Sequence, residues 1–152
     1  MSTRARYSQA APGVYRAMLG LEDYVNSTGL EPDLLDLVRM RASQLNGCAF
    51  CLDMHAKDAR ARGESEQRLY LLDAWREAPM YSERERAALA WTEAVTLLPG
   101  HEVPDTEYAR AKGQFNDEEL ANLTIAIVAI NGWNRLNIAF QTPAGNYQPR
   151  KR

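Results

Sequence analysis

The two cysteines of this chain stand three residues apart and a histidine follows the second by four, in Cys48-Ala49-Phe50-Cys51-Leu52-Asp53-Met54-His55. A dithiol beside an imidazole can do redox or metal chemistry, since a thiolate is both a nucleophile and a metal ligand. On a helix each residue turns by about 100°, so positions 48, 51 and 55 fall within roughly 60° of one another. Both sulfurs and the imidazole then share a face. Gly47 sets that face at a helix start, where free backbone N–H groups and the helix dipole favour a thiolate and a nearby histidine can take its proton. A cysteine oxidised to its sulfenic acid can be attacked by its neighbour to give a disulfide, which makes the cycle reversible.

Other readings fit the same residues. Cysteine packs as a small apolar side chain, so a pair at this spacing could sit inert in a core. A zinc site is a second reading, but beyond Cys48, Cys51 and His55 only His101 or a carboxylate remains to complete a tetrahedral set, and there is no second Cys-x-x-Cys. A thioredoxin-like site needs strands alternating with helices, and the residues before Cys48 read as helix.

The elements that must position this motif are helical throughout. Apolar residues recur at helical spacing and no run of strict alternation calls for a sheet. A first helix is expected from about Pro12 to Asn26. A second starts near Pro32-Asp33, carries Leu34, Val38, Ala42 and Leu45 on one face, and stops at Asn46-Gly47. A third runs through Cys51 and His55 to Arg62, with Gly63 as its cap. Ser65 opens a shorter helix through Leu69, Leu72 and Trp75. Ser82 with Glu85 is a capping box that starts a helix through Trp91 to Leu98, stopped by Pro99-Gly100. Pro104 to Lys112 reads as helix, and Asn116-Asp117-Glu118-Glu119 caps the last long one, to about Phe140. The segment Thr124 to Ile130 is rich in β-branched residues and suits a strand on propensity alone. The cap, the length and the spacing of Leu120, Leu123, Ile127 and Ile130 favour helix. Apolar almost all round, this helix should be buried, in the core or a subunit interface.

A length of 152 residues suits one domain, and 45% hydrophobic residues supply a core. The 18 lysines and arginines are spread out, with one basic cluster at Arg150-Lys151-Arg152, so no nucleic-acid partner is expected. The apolar run around Leu120 to Ile130 is short of a membrane span, and residues 1 to 13 lack the apolar stretch of a secretory signal. A cytoplasmic location follows as an expectation, where such a pair is more often catalytic, redox-sensing or metal-binding than a structural staple. The helical domain is expected over 1–142, with 143–152 an arm or tail.

The stretch Leu37-Val38-Arg39-Met40-Arg41-Ala42-Ser43-Gln44-Leu45-Asn46-Gly47-Cys48-Ala49-Phe50-Cys51-Leu52-Asp53-Met54-His55, its continuation to Arg60, and the later Ala129-Ile130-Asn131-Gly132-Trp133-Asn134-Arg135 closely resemble the AhpD-like alkylhydroperoxidase family of the carboxymuconolactone decarboxylase superfamily. The resemblance runs from about residue 15 to Thr142. It implies an all-α homo-oligomer, a trimer or hexamer, that reduces peroxides without metal or organic cofactor and is recharged by an external thiol reductant, a lipoyl-bearing or thioredoxin-like protein. It makes Cys51 the peroxidatic cysteine, Cys48 the resolving one and His55 the proton relay. It puts the carboxylate of the relay at Asp36, where the family usually has glutamate. Phe50 stands where the best-known branch has a second histidine. Trp133 and Asn134 are expected to pack near the site or interface. Physical reasoning from the helix dipole favours Cys48 as the more acidic thiol; the resemblance assigns attack to Cys51, with His55 one turn beyond as the adjacent base. A non-catalytic redox sensor or disulfide-exchange protein is the main alternative. A decarboxylase of the carboxymuconolactone type is another, although those relatives generally lack the Cys-x-x-Cys.

Overall fold

The computed structural model describes residues 4–149, so the basic cluster Arg150-Lys151-Arg152 lies outside the described residues. It is all-helical, with no strand among the described residues. Among the described residues eight α-helices follow in order: α1 (Tyr7–Ala10), α2 (Pro12–Ser27), α3 (Pro32–Asn46), α4 (Ala49–Ala61), α5 (Glu66–Tyr70), α6 (Glu83–Leu97), α7 (Asp105–Lys112) and α8 (Asp117–Ala139). No helix among them is long and apolar enough to cross a membrane.

Local signals set most boundaries. Pro12 and Pro32 stand in the first turns of α2 and α3, where a missing N–H costs nothing. Ser82 with Glu85 and Asn116 with Glu119 both form complete capping boxes at α6 and α8. The β-branched run Thr124 to Ile130 is helical, inside α8. The helix opened by Ser65 differs from expectation: it ends at Tyr70 and resumes as a 3-10 turn over Leu72–Ala74. A 3-10 turn repeats every three residues, which aligns Leu69, Leu72 and Trp75, and all three are buried. The single-turn α1 carried no periodic signal.

Helix α3 is the centre of the bundle, packed against α4, α6 and α8, while α2 lies along α8. It buries every residue from Leu34 to Ser43. Leu35 and Val38 join a cluster with Trp91, Leu123 and Ile127; Leu37 and Met40 join another with Leu72, Trp75 and Leu89. A helix buried on all sides must pair its polar residues, because a buried charge left alone costs several kcal/mol. Arg41 accordingly reaches Glu93 at 2.9 Å and Asp73 at 2.5 Å. Arg39 reaches Glu22 of α2 at 2.9 Å, and Asp36 holds Arg62 just beyond α4.

The chain after α8 turns back along α4. The Gly145 N–H donates to Asp53 Oδ2 at 3.0 Å, Lys57 Nζ donates to the carbonyls of Gly145 and Tyr147, and the Tyr147 hydroxyl donates to Asp58 at 2.8 Å.

Candidate active site

The junction of α3 and α4 is built by three consecutive residues. Gly47, at φ 69°, takes the left-handed conformation that ends α3, and its N–H and that of Cys48 close on the carbonyls of Gln44 and Ser43. Cys48 is then extended and caps α4, its sulfur accepting the Cys51 N–H at 3.4 Å. Asn46 pins the junction to α8, donating to Asn131 and Asn134 at 2.9 Å each, while Asn134 donates to the buried Ser43 hydroxyl at 3.0 Å.

Cys48 and Cys51 are joined in a disulfide, with Cα atoms 5.3 Å apart, and both residues are buried. His55, one turn beyond Cys51, is 8% exposed, and its Nε2 has no hydrogen-bond partner. Burial, with the guanidiniums of Arg39 and Arg62 nearby, pushes the imidazole down to about 3, so it is neutral at neutral pH.

Asp36 is buried, 2% exposed. Its hydrogen bonds go to Arg62, with Nε at 2.7 Å from Oδ2 and Nη2 bonded to Oδ1, and Arg39 lies 3.9 Å away. Burial pushes its carboxyl above the usual range against the pull of Arg62, and the same contact holds Arg62 above its ordinary value. The structure therefore gathers Cys51 and His55 on α4 with Cys48 at its cap, and ties Asp36 to the arginines near that histidine.

Of these groups His55, Arg39 and Arg62 border a cavity of about 750 Å³ lined by α2, α3, α4, α8 and the segments before α2 and after α8. Its apolar wall includes Tyr15, Leu19, Phe50, Met54, Trp133 and Phe140, and its polar wall includes Glu22, Arg39, His55, Arg62 and Asn137. Phe50 is thus part of the apolar wall. Trp133 also donates to Glu22 at 3.2 Å, which in turn holds Arg39. Cys51 itself is fully buried, and Asn137, which lines the cavity, touches its sulfur. His101 is exposed in the turn after α6. Among the described residues no three His, Cys, Asp or Glu side chains are grouped to hold a metal ion.

Sequence reasoning missed Asn137, Arg39 and Arg62. For Asn137 one signal was available: Asn131, Asn134 and Asn137 recur every three residues on α8, a polar line in an otherwise apolar helix. The arginines carried no signal, because their partners lie elsewhere in the sequence.

Comparison with known proteins gives a consistent picture. The model of the carboxymuconolactone decarboxylase family matches residues 12–94. The chain is 42% identical over 146 residues to the uncharacterized protein YdfG of Bacillus subtilis (strain 168), covering 96% of this chain and 99% of YdfG. It is 33% identical over 115 residues to the uncharacterized protein YnjA of Escherichia coli (strain K12), covering 76% of this chain and 63% of YnjA. The crystal structure of ATU0492 from Agrobacterium tumefaciens, a protein of unknown function called a putative antioxidant defence protein AhpD, superposes with a TM-score of 0.92. That match has 44% identity and covers 96% of this chain and 100% of the other.

Proposed function

The chain belongs to the carboxymuconolactone decarboxylase family, as an AhpD-like member, and from that membership we propose that it is a thiol-dependent peroxidase. The observation that carries this reading is a Cys48–Cys51 disulfide at the start of α4, one turn from a neutral His55 whose Nε2 has no hydrogen-bond partner, on the wall of a 750 Å³ cavity.

In the reduced enzyme the Cys51 thiolate attacks one peroxide oxygen. The O–O bond breaks, the sulfur keeps that oxygen as a sulfenic acid, and the other oxygen leaves as an alcohol or water once protonated. His55 carries the proton from the Cys51 thiol to the leaving oxygen. A buried imidazole with two guanidiniums nearby holds a proton weakly, which suits it to pass one on; a thiolate on the same face pulls the other way and lets it accept. Cys48 then attacks the sulfenic sulfur, a water leaves, and the disulfide forms. Two thiols of an external reductant become a disulfide as they restore the pair, a role suited to a lipoyl-bearing or thioredoxin-like protein.

Asp36 serves the site through Arg62 and Arg39, holding both guanidiniums near the imidazole. A homo-oligomer, trimer or hexamer, belongs to the same reading, supported by the exposed Val14 and Tyr24 on α2 and Val128 and Ile138 on α8. So does a cytoplasmic location, where reductants of this kind keep thiols reduced. Mass spectrometry after peroxide treatment of reduced Cys48→Ser and Cys51→Ser proteins tests the assignment. A sulfenate on Cys51 in the Cys48→Ser protein supports it. A sulfenate on Cys48 in the Cys51→Ser protein, with activity retained, overturns it.

A further inference from the structure

Each sulfur of the pair has its own hydrogen-bond donor, and the two donors differ in kind. Cys48 Sγ accepts the backbone N–H of Cys51 at 3.4 Å, a contact set by the helix itself. Cys51 Sγ accepts from a side chain on another helix, Nδ2 of Asn137 on α8, at 3.6 Å.

The orientation of that amide is determined by its neighbours. Nδ2 lies 2.9 Å from the carbonyl oxygen of Trp133, which can only accept, so this end of the amide carries the hydrogens. One N–H goes to Trp133 and the other to the sulfur. At the opposite end Oδ1 accepts from the Tyr7 hydroxyl of α1 at 3.4 Å. Burial pushes the Tyr7 phenol up, so it keeps its proton and stays a donor. Asn137 is 4% exposed and lines the cavity, so its amide links the cavity wall to the Cys51 sulfur.

We propose that Asn137 is a positioning residue for the dithiol, whose amide N–H holds the Cys51 sulfur as a thiolate after reduction and offsets the advantage that the helix start gives Cys48. The proposal rests on the peroxidase reading only for the role of Cys51 as the attacking thiol. A neutral disulfide sulfur is a weak acceptor and a thiolate a strong one, so the bond strengthens on reduction and favours the anion. The charged and titratable groups lining the cavity beside Asn137 are Arg6 and Tyr7 before α2, Tyr15 and Glu22 on α2, Arg39 on α3, His55 and Asp58 on α4, Arg62 just beyond α4 and Tyr147 after α8, with Asp36 of α3 held by Arg62. Helix α8 contributes the uncharged Asn137, so replacing it with leucine removes a hydrogen bond without altering any charge.

The test is an ultraviolet titration of the thiolate in reduced single-thiol proteins, Cys48→Ser reporting Cys51 and Cys51→Ser reporting Cys48. Each is measured with Asn137 intact and with Asn137→Leu or Asn137→Ala. Truncation to alanine opens onto the existing cavity rather than a closed void, so it keeps the comparison available should leucine not fold. Losing a hydrogen bond to a charged sulfur is expected to raise the Cys51 pKa by about one unit or more, a roughly tenfold smaller thiolate fraction below that pKa. The Cys48 pKa is expected to stay in place. A purely structural role for Asn137 lowers the melting temperature without this selective shift. An unchanged Cys51 pKa, or equal shifts at both cysteines, overturns the proposal. Absence of peroxide turnover in the wild type would instead overturn the peroxidase reading, and the titration would still judge Asn137.

Discussion

Asp36, in the first turns of α3, and Arg62, at the end of α4, form a two-point ion pair that clamps the end of the cysteine-bearing helix to the central one. The two partners are unequally buried, with side chains 3% and 25% exposed. Breaking the pair should therefore be asymmetric. Arg62→Met strands a buried carboxylate and is expected to cost about 3 kcal/mol. Asp36→Asn leaves an arginine that can turn to solvent and is expected to cost about 1 kcal/mol. Urea unfolding of the oxidised proteins measures both, and equal losses would contradict the burial argument.

His55 makes stability depend on pH. Its folded value is depressed to about 3 from the ordinary 6.5, so between those values the unfolded chain binds the extra proton. The contribution is complete above the unfolded value and is lost as pH falls toward the folded one. From pH 7 to pH 5 the oxidised protein should lose about 2 kcal/mol from this group. Asp36, whose folded value is raised, works in the opposite direction at more acid pH. The difference between wild type and His55→Gln isolates the histidine. Parallel stability curves for the two proteins would show that His55 is not held neutral.

Gly47 has open space around an added Cβ but a φ of +69°. Replacing it costs conformation alone, so Gly47→Ala should destabilise by about 1 kcal/mol and Gly47→Asn by less. Thermal unfolding of the two variants checks the order; a loss several times larger would mean that the junction tolerates no side chain.

The segment after α8 forms part of the cavity wall through bonds to Asp53, Lys57 and Asp58. Asp53→Ala should speed hydrogen exchange at the Gly145 amide while leaving amides inside α8 unchanged. Equal exchange in variant and wild type would show that this contact does not hold the segment.

Where structure is decided locally, it was legible in the sequence. The capping boxes at Ser82 and Asn116, and the stop at Asn46-Gly47 that places Cys48 at a helix start, need only neighbours in the chain. The Thr124 to Ile130 run shows tertiary packing overriding a β propensity, since Ile127 and Ile130 have a core to enter only as helix. The break after Tyr70 was hidden because the same three-residue spacing of Leu69, Leu72 and Trp75 fits a helix face and a 3-10 turn alike. In the site, the dithiol and His55 are one local pattern. Asp36 was marked as a site residue only by the resemblance, and Arg39 by nothing; their burial depends on Arg62 and Glu22, which lie 26 and 17 residues away. Asn137 contacts a cysteine 86 residues distant, a pairing that its spacing with Asn131 and Asn134 does not reveal.

The most direct test of the peroxidase assignment is steady-state peroxide consumption by the reduced protein with dithiothreitol or dihydrolipoamide, wild type beside Cys51→Ser. Repeated turnover by the wild type and none by Cys51→Ser is the expected result. A single stoichiometric oxidation of the two thiols without further consumption would make the protein a redox sensor or disulfide exchanger and contradict the assignment.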